Sequence, residues 1–228
     1  MLRFIRSVTG PRIAWAEVLR PRFAIPGALL LAAAVLYIVS YWQPYWHMTL
    51  VAPQYPNGLH VTAHLDRLSG DVAEIDGLNH YIGMRPLNDA AQLERETSWL
   101  LVAVTAALVA AGLLLHSRWA ALLAAPAILF PAGFLLDLHL WLSHFGQHLD
   151  PHAPLANSVK PFTPPVLGTG TVGQFKTVAT AGVGWWLAVA AACLVVIALV
   201  LHRRAYKPLV DRARSAASAG SAPAAAAA

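Results

Sequence analysis

The sequence predicts an all-α membrane protein with four transmembrane helices and a small outer loop domain that contains a β-hairpin. Composition is the first observation behind this fold class. Of the 228 residues, 57% are hydrophobic and only 12% are charged, whereas soluble domains have about 25% charged residues. The mean hydropathy of +0.55 likewise indicates a chain more apolar than a soluble domain. These values exclude a disordered chain and a collagen-like fibre, and a single cysteine, Cys193, excludes a disulfide scaffold.

Four apolar segments are the second observation, because a membrane-spanning helix needs about 20 mostly apolar residues. The predicted spans are residues 23–42, 97–116, 119–145 and 183–202. Tryptophans cluster at the ends of these segments, as they do in the aromatic belts at membrane–water interfaces. The chain is therefore expected to have the lipid bilayer as its first partner.

The distribution of basic residues is the third observation, and it predicts the orientation. Five Arg residues lie in the segment 1–22, and five Lys or Arg residues lie in the tail 203–228. By the positive-inside rule both termini are cytoplasmic, and the loops 43–96 and 146–182 face outward. The net charge of +5 thus reflects membrane topology and not nucleic-acid binding. We expect a multi-pass protein of a bacterial cytoplasmic membrane.

Both ends of the chain have a simple composition. The segment 1–22 mixes Arg with large apolar residues, so it is predicted either to lie along the membrane surface or to be a disordered basic tail. The end of the tail, from Ser215 onward, is rich in Ala and Ser and is predicted to be disordered.

The first outer loop, 43–96, is predicted to form an ordered domain around a β-hairpin. Apolar and polar residues alternate from Leu59 to Leu65, which predicts a strand. A turn at residues 53–58 would pair it with a strand at 47–52. His60 and His64 share one face of the second strand but lie about 13 Å apart. They cannot both bind one ion, and each is expected to be a solvated strand residue.

The outer loops also concentrate metal-binding side chains. Six of the ten histidines and two of the three methionines lie in these loops, which contain no cysteine. Thioether and imidazole ligands favour copper over cytosolic zinc. The alternative is that these histidines are interfacial residues that satisfy local hydrogen bonds.

One pair of these ligands has chelating spacing. Asp71 with Glu74 three residues later resembles a capping box, which predicts a helix start. If the helix continues, His80 and Met84 are at positions i and i+4 and lie on one face. In the alternative interpretation Met84 packs in the core of the loop beside a hydrogen-bonded His80.

The end of the third span carries a stripe of polar side chains. Asp137, Trp141, His144 and His148 follow helical spacing. An ionisable residue within a span usually faces the bundle interior or a functional cavity. Asp137 lies about 27 Å along the helix from Trp119, near the outer boundary, so it could also be hydrated there.

Other patterns do not indicate a site. Residues 168–173 match GxGxxG, but they lack the strand and helix that a dinucleotide site requires. Cys193 lies in the middle of the fourth span and is expected to pack there. Neither a transmembrane haem pair nor a nucleophile–base–acid set is apparent. We therefore expect that the protein is not an enzyme.

Four sequence motifs resemble those of a known family: residues 47–56 (HMTLVAPQYP), 77–84 (GLNHYIGM), 137–151 (DLHLWLSHFGQHLDP) and 164–175 (PPVLGTGTVGQF). They resemble a family of small bacterial multi-pass membrane proteins that are encoded beside maturation genes of nitrous-oxide reductase and other copper enzymes. The family has a Gly–His pair where this chain has Gly146 and Gln147. The resemblance implies a role in copper delivery or copper-enzyme assembly.

Two functional hypotheses follow. The first is an accessory protein that handles copper at the outer, periplasmic face and has a copper enzyme or its maturation proteins as partners. Its metal site would consist of His80, Met84, His144 or His148, and Asp137. The second is a non-catalytic structural or assembly subunit of a larger membrane oxidase or monooxygenase complex. In that case the outer loops pack against partners and bind no metal.

Overall fold

The computed structural model describes residues 21–114, 119–172 and 175–219. Most of the basic segment 1–22, the last two residues of the predicted span 97–116, part of the GxGxxG word and the end of the Ala/Ser tail lie outside the described residues. The described chain forms five α-helices: α1 (Pro21–Ser40), α2 (Val72–Ile82), α3 (Gln92–Ala111), α4 (Trp119–Gln147) and α5 (Val183–Ala219).

The all-α class with four transmembrane helices is wrong. Three helices in the described part of the chain are long and apolar enough to cross a membrane: Phe23–Ser40, Ala120–Gln147 and Val183–Pro208. The predicted span 97–116 does not join them. Its helix, α3, begins at Gln92 and has three charged residues in its first turns, Glu94, Arg95 and Glu96.

A five-stranded antiparallel sheet is the second departure from the predicted class, and it makes the protein a mixed α and β structure. The strands are β1 (Trp46–Ala52), β2 (Tyr55–Ala63), β3 (Leu68–Gly70), β4 (Gly168–Val172) and β5 (Phe175–Ala181). Their order across the sheet is β3-β2-β1-β5-β4. The predicted hairpin is present as β1 and β2, but it is part of a larger sheet that also includes strands from the second outer loop.

Register places the apolar residues of the sheet on one face. Trp46, Met48 and Leu50 of β1 are buried, while the residues between them are not. Val61 of β2 and Ala179 of β5 pair directly with Met48 and are buried with it. This face forms a core with Val72 and Ile75 of α2 and Leu142 of α4. Because strands alternate, the opposite face is more polar and carries His47, Thr49, His60, Thr62 and Thr180 beside Val51 and Val178.

The chain divides into two compact units, whose boundaries fall within helices. One unit comprises residues 36–104 and 129–190 and contains the whole sheet. In this unit Tyr45 is fully buried and its ring packs on Phe134, with ring centroids 5.0 Å apart. The other unit comprises residues up to 35, 105–128 and from 191 onward. Its described residues are helical except for a turn at residues 112–114, and α5 continues to Ala219, beyond the predicted start of disorder at Ser215.

Candidate functional site

Helix α2 ends in a way that separates His80 from Met84. Gly83 adopts the left-handed conformation (φ 81°) and caps the helix after Ile82. The N–H of Met84 donates to the carbonyl of Asn79 at 2.9 Å, and that of Gly83 donates to His80 at 3.3 Å. This is the hydrogen-bond pattern of a Schellman motif. Met84 consequently leaves the helix surface and is buried against Ile82 and Phe145, whereas His80 is exposed.

The start of α2 also differs from the prediction, because Asp71 does not form a capping box. Its side chain makes no cap hydrogen bond to the helix. Instead, Asp71 Oδ2 accepts a hydrogen bond from the backbone N–H of His60 on β2 at 2.8 Å. The carboxylate therefore fastens α2 to the sheet, and this contact fixes the position of the element that carries His80.

Two of the predicted ligands do lie together. The rings of His144 and His148 are exposed, with centroids 4.5 Å apart and an interplanar angle of 38°. The backbone N–H of His148 donates to the carbonyl of His144 at 3.1 Å, so the helical turn continues one residue beyond Gln147. The Nδ1 atom of His148 lies 2.8 Å from the same carbonyl. A carbonyl only accepts, so Nδ1 carries the proton and Nε2 of His148 presents its lone pair outward.

The loop that follows α4 brings two further side chains to this region, and the sequence did not indicate them. Asp150 Oδ1 accepts a hydrogen bond from the backbone N–H of His152 at 2.9 Å and lies 3.2 Å from His152 Nδ1. These hydrogen bonds lower the pKa of Asp150, and an electrostatic interaction with His80 acts in the same direction. Asp150 is therefore an anion at neutral pH, close to the exposed face of α2.

Gly83 determines how closely this loop approaches α2. The N–H of Asp150 donates to the carbonyl of Gly83 at 2.8 Å, and the N–H of Leu155 donates to the carbonyl of Tyr81 at 2.9 Å. A Cβ atom at Gly83 would lie 2.6 Å from the carbonyl oxygen of Asp150, which is closer than van der Waals contact permits. A glycine is required here for both its conformation and its size.

Asp137 is not part of this group. It lies about 10 Å further down the same helix than His144, at 1.5 Å per residue. Its side chain is half-buried, interacts with Trp141 one turn later, and lies near enough to Glu94 of α3 for the two charges to interact. The predicted set of five ligands therefore separates into a buried Met84, an exposed His80, a remote Asp137 and the adjacent pair His144 and His148.

The described part of the chain contains no group of three or more His, Cys, Asp or Glu side chains that could hold a metal ion. The two adjacent imidazoles can supply two nitrogen ligands, which leaves other coordination positions for water or for ligands from another molecule.

The histidines of the sheet are engaged in local hydrogen bonds. His47 Nδ1 lies 3.0 Å from Thr62 Oγ1, and His60 Nδ1 lies 3.0 Å from Thr49 Oγ1, so each pair links β1 to β2. Burial, followed by the positive charge of Arg67, lowers the pKa of His64. His47 and His60 are therefore explained by the sheet and do not extend the pair on α4, whereas His64 lies just after β2.

Comparison with known proteins does not identify a family. No protein-family model matches the chain, and no curated protein matches it.

Proposed function

We propose that the protein is a membrane-anchored accessory protein that binds copper at its outer face through His144 and His148 and passes it to a copper enzyme. The observation that carries this proposal is the adjacency of two exposed imidazoles, with ring centroids 4.5 Å apart. The hydrogen bond from His148 Nδ1 to the carbonyl of His144 is the contact that orients metal-binding histidines in proteins, since it fixes the tautomer and raises the basicity of Nε2.

Copper is the metal that this pair of ligands favours among the divalent first-row ions. Nitrogen and oxygen sites bind Cu(II) most tightly in the Irving–Williams order. The thioether of Met84 is buried, so the proposed site uses imidazoles in place of the mixed His and Met site that the sequence suggested. The family resemblance of the four sequence motifs also favours copper.

The incomplete site supports a role in transfer. Two protein ligands leave coordination positions that a recipient protein can fill. The copper ion can then pass from one protein to the other without being released into solution. Asp150 and His152 lie in the loop that directly follows His148, where an anion and an imidazole could attract the cation.

The proposed orientation places the sheet and this pair outside the cytoplasm. Both outer loops contribute strands to one sheet, so they lie on the same side of the membrane. The basic residues before α1 and in the later part of α5 mark the other side as cytoplasmic. A reporter fused at Asn157 should read as periplasmic and one fused after Ser215 as cytoplasmic. A cytoplasmic reading at Asn157 would reject this orientation.

The binding test is a Cu(II) titration of the detergent-purified full chain. The double variant His144→Ala, His148→Ala should lower copper affinity by roughly tenfold or more, because loss of even an indirect partner of a metal ligand costs 10–100-fold. His139→Ala is the matched control, since His139 is an exposed histidine on the same helix. Equal affinities of the double variant and the wild type would reject the copper proposal and favour the structural-subunit hypothesis.

A further inference from the structure

An open groove lies between the first turns of α1 and the later part of α5, within the helical unit. Its volume is about 270 Å³, and it is lined by Pro21, Ile25, Pro26, Leu201, Arg204 and Ala205. A second depression of about 340 Å³ on α5 is lined by Val200, Arg203, Arg204, Lys207 and Pro208. Arg204 borders both, so the two depressions form one surface with an apolar part and a basic part.

The charged residues among those that line the two depressions are all basic. Arg203, Arg204 and Lys207 are exposed, and Arg203 and Lys207 lie one helical turn apart on the same face. The segments 21–35 and 191–208 contain no Asp or Glu. The surface is therefore suited to an anion that also has an apolar part, because the floor beside the cations consists of Ile25, Pro26 and Leu201.

The depth of the groove in the membrane follows from the length of α5. The apolar segment Val183–Pro208 has 26 residues, which is about 39 Å at 1.5 Å per residue. The hydrocarbon core is about 30 Å thick. Counted from Val183, this distance ends near Arg203, so the three cations fall at the level of the lipid headgroups.

We propose that this groove binds an anionic phospholipid, with its phosphate held by Arg203, Arg204 and Lys207 and an acyl chain against Ile25 and Leu201. Basic pockets between transmembrane helices recognise anionic headgroups in this way. The guanidinium group of Arg matches the geometry of a phosphate with two parallel hydrogen bonds. This site is distinct from the histidine pair and does not depend on copper binding.

The experiment measures lipid retention by native mass spectrometry of the full chain in a neutral detergent. Phosphatidylglycerol and phosphatidylcholine with identical acyl chains are added in equal amounts. Phosphatidylglycerol should be retained preferentially, and each of the three cations should contribute about fivefold. The triple variant Arg203→Gln, Arg204→Gln, Lys207→Gln should lose about a hundredfold in retention of phosphatidylglycerol, since three fivefold contributions multiply.

The matched control removes three charges elsewhere. Arg85, Lys160 and Lys176 are exposed cations of the other unit, and their replacement by Gln should leave retention unchanged. A second variant, Ile25→Trp, fills the groove without a change in charge, and it should also reduce retention. If the triple variant does not purify as a folded protein, the Ile25→Trp variant alone tests the proposal.

Three results would overturn the proposal. The first is equal retention of the two lipids, and the second is an equal loss in the site triple and the control triple. The third is displacement of phosphatidylglycerol by millimolar inorganic phosphate together with unchanged retention in Ile25→Trp, because the site would then recognise a free phosphate and not a lipid.

Discussion

At the scale of single residues, the same i and i+4 spacing leads to opposite outcomes in two places. His144 and His148 stay on one helical turn, and their rings are adjacent and exposed. His80 and Met84 have the same spacing, but Gly83 ends the helix between them and Met84 turns into the core. The sequence contained this signal, since a glycine before an apolar residue is typical of a Schellman motif. Spacing alone could not decide between the two outcomes.

Replacement of Met84 tests its assignment to the core. Met84→Ala should lower the free energy of unfolding by about 2–5 kcal/mol, because a buried methionine leaves a cavity. Met84→Leu keeps the volume and should cost less than about 1.5 kcal/mol. Chemical denaturation in detergent measures both. Copper affinity of Met84→Leu should equal that of the wild type, and a clear loss of affinity would show that the thioether is a ligand after all.

Tyr45 gives a prediction about pH. Burial raises the pKa of Tyr45 from 10.0 to about 12, while its hydroxyl lies 2.7 Å from Ser40 Oγ. Because the pKa is higher in the folded state than in the unfolded state, the protonated Tyr45 contributes to the free energy of unfolding. This contribution is complete below pH 10 and is lost as the pH rises towards 12. The loss should reach about 2–3 kcal/mol, at 1.36 kcal/mol for each pKa unit.

Tyr45→Phe is the matching variant, because it removes the titrating group and keeps the ring. The free energy of unfolding of the wild type should fall more steeply between pH 10 and 12 than that of the variant. Parallel pH profiles for the two proteins would contradict the burial of a protonated Tyr45 hydroxyl.

At the scale of elements, β1 and β2 could be predicted from the sequence because large apolar residues alternate with polar ones in both strands. The strands β4 and β5 were missed because their inward residues are small or polar, namely Gly170, Thr177 and Ala179. Gly170 has a packing reason, since a Cβ atom there would lie 2.5 Å from the ring of Pro165. Residues 168–172 of the GxGxxG pattern thus form the edge strand β4, and its neighbour β5 pairs both with β4 and with the distant strand β1.

Gly77 inside α2 and Gly83, which caps α2, allow a matched test of how the loop docks on this helix. Gly83→Ala should destabilise the protein by at least about 1 kcal/mol, because the residue has a positive φ and its new Cβ would collide with Asp150. Gly77 lies inside the same helix, and a Cβ there would meet nothing within 4 Å. Gly77→Ala should therefore stabilise the protein by about 0.5–1 kcal/mol.

Thermal unfolding of the two variants beside the wild type measures the difference. A neutral effect of Gly83→Ala would mean that the loop does not approach α2 as closely as the geometry indicates. The expected opposite signs exclude a general intolerance of α2 to alanine.

At the scale of the whole molecule, composition predicted a membrane protein, and three apolar helices of sufficient length support this. The predicted span 97–116 is not among them, because its helix α3 begins earlier, at Gln92, and so includes three charged residues in its first turns. The sheet of the outer domain was predicted as only a hairpin for a different reason. This sheet joins strands that are more than 100 residues apart in sequence, as in the pairing of Met48 with Ala179, and local patterns cannot reveal such pairings.

His144 and His148 are proposed to bind copper together. The most direct test of this proposal is electron paramagnetic resonance of the full-length protein loaded with one equivalent of Cu(II). We expect coupling to two imidazole nitrogens in the wild type, unchanged in His139→Ala and Met84→Leu and lost in the His144→Ala, His148→Ala variant. A spectrum without imidazole nitrogen, or one that is the same in the double variant, would contradict it.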